Sequence, residues 1–255
     1  MLPIAILTLS GVLLLAISLS YQFESFMTEP SIVFMNPHDV QTFMSIDEDH
    51  YVKQMSSADF HARNALNAND YIEKSRKDVI AFTFEEKDLL KQAVLKANRF
   101  FLSYNDEYIQ SYEMNRISWK FALTKGYYEN GLPHTRMDII FLPHSLLKQS
   151  LDSIVQTLIH EKVHLHQRIY KERYHKLLIS KNYQVVGKRH HQYRIRANPD
   201  VNDYIYYHPN NFIMVENYRT LTPKNIQDTE KLGLDVKYEH PYEEIAYQVA
   251  EKYKV

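Results

Sequence analysis

The chain has no cysteine among its 255 residues, which removes disulfides and thiolate metal sites together. Any metal ion must be held by imidazole and carboxylate, a donor set that suits a catalytic centre better than a structural one. Glycine is scarce, with 5 positions, and neither G-x-x-x-x-G-K nor G-x-G-x-x-G occurs, so phosphate-cradling loops are excluded. Charge of one sign is missing too. The formal net charge of −1 gives no electrostatic reason for a nucleic-acid partner. No internal repeat or low-complexity tract is found.

The longest apolar stretch runs from Leu2 to Ser20 without a charge. That length is about the minimum for a membrane-crossing helix. A cleaved signal needs a basic start, which is missing, although Ser18 and Ser20 suit a cleavage site. The expectation is therefore a single-pass membrane protein with an uncleaved anchor; the alternative is a secreted protein. No Lys or Arg precedes Lys53, so the positive-inside rule has nothing to count, and only Glu24 and Glu29 lean towards a non-cytoplasmic body. The expected organisation is an anchor or signal at 1–21, a juxtamembrane segment at 22–56 and a folded domain at 57–255. Within 22–56, Ser31 to Met35 reads as a short strand, and the whole segment can alternatively be an arm packed on the domain.

The chemistry-bearing stretch is His160-Glu161-Lys162-Val163-His164, an H-E-x-x-H pattern. Residues four apart on a helix lie one above the other, so both imidazoles can reach a single metal ion. Glu161 projects about 100° round from His160, where a carboxylate can take a proton from a water activated by the metal. Leu151, Ile154, Val155, Leu158, Leu165 and Ile169 form an apolar arc on this helix. The two histidines fall opposite that arc, whereas His166 points towards it and reads as structural. Lys162 falls in the middle of the arc, where only snorkelling accounts for it.

Around the motif the sequence predicts a short helix over Ala58–Ala68. A longer one follows, capped by Thr83 and Glu86, with Leu90, Ala93, Val94, Ala97 and Phe101 on one face. Ile117, Trp119, Phe121 and Leu123 alternate as in a strand with one buried face. A second strand, Arg136 to Leu142, is apolar on both faces near its end. Ser150 is a suitable N-cap for the motif helix, which runs to about Tyr170, and Arg173 to Asn182 either continues it or forms another. Lys188, Arg189, His190, His191, Arg194 and Arg196 make a basic patch, either a solvated loop or a contact for an anionic group. Pro241 opens a terminal helix, Tyr242 to Tyr253.

A catalytic zinc keeps three protein ligands and an open position. On the terminal helix Tyr242, Ile245, Ala246, Val249, Ala250 and Tyr253 form the buried arc. Glu243 lies at its edge and Glu244 points to solvent, so Glu243 is the expected third ligand. Tyr247 falls one turn beyond Glu243 on the same flank. It is the first candidate to stabilise an oxyanion, with Tyr207 and His240 as others.

H-E-x-x-H followed by Glu243-x-x-Ala246 resembles the zincin metallopeptidases of the gluzincin type. The resemblance implies an α+β, zincin-like domain with a small sheet, an active-site helix and a C-terminal ligand helix, here behind an N-terminal transmembrane helix. It implies one catalytic zinc held by His160, His164 and Glu243, with Glu161 as general base, and a peptide or protein as substrate. It also implies that the strand before the motif helix, Met137 to Leu142, is the edge that pairs with an extended substrate. Family members often carry an aspartate four residues after the glutamate, where this chain has Tyr247. The competing reading is a non-catalytic interaction domain that keeps the fold and the metal.

Overall fold

The computed structural model describes residues 31–189, 193–232 and 237–254. Its central sheet is built from five short strands. β1 (Ile32–Phe34) runs parallel to β3 (Trp119–Thr124), and β3 runs parallel to β5 (Ile139–Pro143). β2 (Val79–Ile80) pairs antiparallel with the far end of β3, and β4 (His134–Arg136) closes the sheet antiparallel to β5. Strand alternation gives this sheet two apolar faces. Trp119, Phe121, Leu123, Ile140 and Leu142 face one cluster, whereas Ala122, Ile139 and Phe141 face another.

Two long helices cover the first face. α4 (Phe84–Ser103) begins at the capping box of Thr83 and Glu86 and buries Leu90, Ala93, Val94, Ala97 and Phe101, as its spacing predicts. α6 (Leu151–Ile169) is capped by Ser150, whose hydroxyl accepts from the Ser153 N–H. α8 (Pro241–Ala250) packs against α6 through Ile245, Ala246 and Val249, and its alanines let the two axes come close. Each large aliphatic side chain buried there contributes roughly 1.5–3 kcal/mol. The second face is covered by α1 (Pro37–Ile46), through Val40 and Met44, and by Tyr71 of α3 (Ala68–Asp78).

Residues 32 onwards form one compact unit, so β1 and α1 belong to the same body as the motif helix. Val40, Met44, Tyr51 and Val52 of the expected juxtamembrane segment pack on this body, while residues 22–30 lie outside the described residues. Where one helix was expected at 58–68 there is α2 (Ser57–Ala62), a left-handed residue at Asn64, and α3 starting from its own cap at Asn67. The expected strand Arg136–Leu142 is a hairpin instead. Met137 takes φ +52° and reverses the chain between β4 and β5.

Beyond α6, Tyr170 ends the helix and α7 (Lys171–Ser180) follows; α5 (Ser111–Met114) is a single turn before β3. Two small antiparallel sheets complete the architecture. One contains β6 (Gln184–Lys188), β7 (Tyr204–His208) and β8 (Phe212–Met214), and the other β9 (Glu216–Tyr218) with β10 (Thr229–Lys231).

The fold class expected from the sequence requires a correction. An α+β zincin-like domain behind a transmembrane helix is replaced, among the described residues, by a mixed α/β arrangement of eight α-helices and three small sheets. No described helix is long and apolar enough to cross a membrane. The longest, α4, is amphipathic, with Glu85, Glu86, Lys87, Asp88, Lys91, Lys96 and Arg99 along it. The run Leu2–Ser20 that prompted the expectation lies outside the described residues.

Candidate metal centre

His160 and His164 stand one turn apart on α6, and their Nε2 atoms face each other at 3.0 Å. Glu243, in the first turn of α8, places Oε2 at 3.3 Å from His160 Nε2 and 3.7 Å from His164 Nε2. Donors around a tetrahedral ion with bonds near 2.0 Å stand about 3.3 Å apart, so the observed triangle has the dimensions of one face of such a site. The three residues are thus a group that can hold a metal ion. Glu244 turns away, with its carboxylate accepting from the Tyr183 hydroxyl at 3.0 Å. The helix phase read from the sequence is the one observed.

The charges agree with that reading. Burial disfavours a charged His164, but the Glu243 and Asp200 carboxylates override it and push its pKa up to about 9. Burial likewise works against ionised Glu243, yet the two imidazoles hold its pKa well below the ordinary carboxylate range. A cation is favoured at the point where the three donors converge.

Glu161 sits beside the triangle, 3% exposed, and lines a cleft of about 510 Å³ with His160, Glu243, Tyr247, Asn198 and Asp200. Burial first, then the charges of Asp200 and Glu243, raise its pKa well above the usual value. Glu161 Oε2 and His160 Nδ1 are buried without a hydrogen-bond partner. The open oxygen of Glu161, lining the cleft, is free to accept from a molecule bound there.

Tyr247 flanks the cleft, its ring 4.4 Å from that of His160 and stacked on Tyr238 at 5.2 Å. Tyr247 is 47% exposed, and its partial burial with the nearby Glu243 and Glu161 charges pushes its hydroxyl up to about 12, which keeps the group a donor. The other two oxyanion candidates lie elsewhere. His240 is the N-cap of α8, its Nδ1 accepting from the Tyr242 N–H, and burial lowers its pKa to about 3. Tyr207 belongs to β7 and does not line the cleft. His166 is structural as expected, buried against Glu113 and Tyr174.

Two carboxamides and one carboxylate that sequence reasoning did not single out complete the surroundings. Gln167 Oε1 lies 2.8 Å from His164 Nδ1, and Asn198 Nδ2 donates to Glu243 Oε1 at 2.8 Å. Asp200 Oδ1 accepts from both the N–H and the hydroxyl of Thr135, at 2.6 and 2.8 Å. Gln167 carried a usable signal, since it is three residues beyond His164 on the same helix face. Asn198 and Asp200 read only as turn residues around Pro199.

The expected substrate-pairing strand also needs correcting. β5 is hydrogen-bonded on both sides, by β3 and β4, so the edge is β4. Its outward backbone groups at Thr135 are already taken, the N–H by Asp200 and the carbonyl by Arg168 at 3.4 Å. The basic patch is largely neutralised internally. Arg189 pairs with Asp203, Arg194 with Glu230, and Arg196 bridges Glu216 and Glu239 at 2.6 Å each. His190 and His191 lie outside the described residues.

No family model, curated protein or solved structure matches the chain, so the reading of the site rests on its own geometry.

Proposed function

We propose that the protein is a zinc-dependent hydrolase of peptide bonds, with His160, His164 and Glu243 as metal ligands and Glu161 as general base. The observation that carries this reading is the triangle of three donors with a buried carboxyl beside it, open to a cleft. A purely structural site needs no such carboxyl. A zinc ion held there supplies Lewis acidity, lowering the pKa of water towards ~7 and polarising a carbonyl. Glu161 takes the proton of the attacking water at its carboxylate and delivers it to the leaving nitrogen as the C–N bond breaks; the second water proton follows, giving a carboxylate and an ammonium as products. Tyr247, kept protonated, donates towards the oxygen on which charge develops.

A second reading, an interaction domain that keeps the metal without hydrolysis, is favoured by one observation: the edge of β4 is closed to an added strand by Asp200 and Arg168. The two readings part on the Glu161→Gln variant. Under the hydrolase reading the wild type cleaves a peptide library and Glu161→Gln keeps its zinc but loses cleavage by at least about a hundredfold. Equal cleavage by the two proteins, or none by zinc-loaded wild type, contradicts it.

A further inference from the structure

Position 167 follows His164 by three residues, which places the two side chains on one face of α6. Both are fully buried. The Gln167 carboxamide makes two hydrogen bonds: its Oε1 is 2.8 Å from His164 Nδ1, and its Nε2 donates to the Tyr242 carbonyl at 2.9 Å. A carbonyl oxygen can only accept, so the amide nitrogen of Gln167 must face Tyr242. That leaves Oε1, itself only an acceptor, against His164, which puts the imidazole proton on Nδ1. With Nδ1 protonated, Nε2 is the nitrogen of His164 that can ligate a metal ion between His160 and Glu243. The sense of the amide is set by the backbone of α8, not by the histidine.

We infer that Gln167 is a positioning residue of the metal centre, selecting the His164 tautomer that ligates through Nε2 and tying that histidine to the first turn of α8. This rests on the metal-site reading above. Tyr242 immediately precedes Glu243, so one side chain spans from one ligand to the residue beside another. The role demands a carboxamide. A carboxylate at 167 keeps an acceptor for His164 but sets an oxygen against the Tyr242 carbonyl, and an apolar side chain keeps neither bond. Hydrogen bonds to the far nitrogen of a ligating histidine fix ring orientation and basicity, and their loss weakens metal binding by about 10–100-fold.

The test titrates the full-length metal-free protein with Co²⁺, reading the visible absorption of the bound ion and fixing the dissociation constant by chelator competition. Wild type, Gln167→Met and Gln167→Glu are compared, with the melting temperature of each metal-free form recorded alongside. Gln167→Met should bind Co²⁺ about 10–100-fold more weakly. Gln167→Glu, which keeps the acceptor, should lose less than about tenfold although its melting temperature also falls. A structural role alone moves affinity in step with stability, so equal losses in the two variants overturn the inference. Unchanged affinity in Gln167→Met overturns it as well. Should Gln167→Met fail to fold, the ring nitrogens of His164 in the zinc-loaded wild type decide, read by ¹H–¹⁵N NMR. A proton on Nδ1 is expected, and one on Nε2 overturns the assignment. Failure of the wild type to bind Co²⁺ at all is a separate outcome that removes the metal site itself.

Discussion

Asn198 donates through one amide nitrogen to two carboxylates, Glu243 at 2.8 Å and Glu239 at 2.7 Å. It engages Oε1 of Glu243, so Oε2 is the oxygen turned to the histidines. Without it, the buried Glu243 and the partly buried Glu239 lose a shared donor. Asn198→Ala should weaken zinc retention about tenfold, and Asn198→Asp, which keeps the shape but offers Glu243 no donor, should weaken it as well. Zinc content after dialysis against a graded chelator measures both, and full retention in Asn198→Asp would show that Glu243 is oriented by something else.

A second group anchors the cleft wall. Arg63 and Glu129 are both buried and paired at 2.6 Å, with Tyr51, Tyr71 and Tyr218 bonded to the same pair. Burial resists ionisation of Glu129, but the Arg63 guanidinium overrides it and holds the pKa at about 2, against an ordinary 4.5. A carboxyl depressed on folding contributes stability above its unfolded pKa and loses it as pH falls through the folded one. Glu129→Gln removes the closer of the two carboxylates paired with the buried guanidinium, leaving Asp59 at 3.5 Å, and should destabilise the protein by up to about 3–5 kcal/mol at pH 7. The gap from wild type should narrow as pH falls from 4.5 towards about 2. Urea denaturation across that range is the check, and a gap independent of pH would contradict the assignment.

Lys162 gives an opposite dependence. Its amine stands 3.8 Å from the centre of the Trp119 ring and donates to the Ile117 carbonyl at 2.7 Å, while burial holds its pKa well below the ordinary lysine value. A lysine whose pKa is lowered by the fold costs stability below the unfolded pKa, and that cost falls away as pH rises towards 10.5. Lys162→Met, close in volume, should remove the part of the pH dependence due to this amine. Melting temperatures of both proteins from neutral pH upward decide it, and identical slopes would mean that the amine is charged in the fold.

These residues show what was legible in the sequence and what was not. His160, Glu161 and His164 are local to one helix, so their relation follows from helix geometry alone. Glu243 was reachable because the apolar arc of α8 sets its phase. The hairpin at Met137 was hidden because a non-glycine residue takes the left-handed turn, with no punctuation to mark it. Lys162 does not snorkel, because Trp119 and the Ile117 carbonyl, both distant in sequence, receive its amine inside. Asn198 and Asp200 reach the site through long-range packing, which no local period records. The closure of the β4 edge was unreadable for the same reason.

The most direct test of the centre is zinc stoichiometry in wild type, Glu243→Ala and Glu244→Ala, purified side by side and exposed to a mild chelator. The two glutamates are neighbours in sequence, yet one faces His160 and the other Tyr183. Wild type and Glu244→Ala should hold about one zinc per chain, whereas Glu243→Ala should lose it. Glu244→Ala also loses the hydrogen bond from Tyr183 and should cost about 1 kcal/mol of stability. Loss of zinc from Glu244→Ala with retention by Glu243→Ala, or no zinc on the wild type, would contradict the assignment of His160, His164 and Glu243 as one metal site.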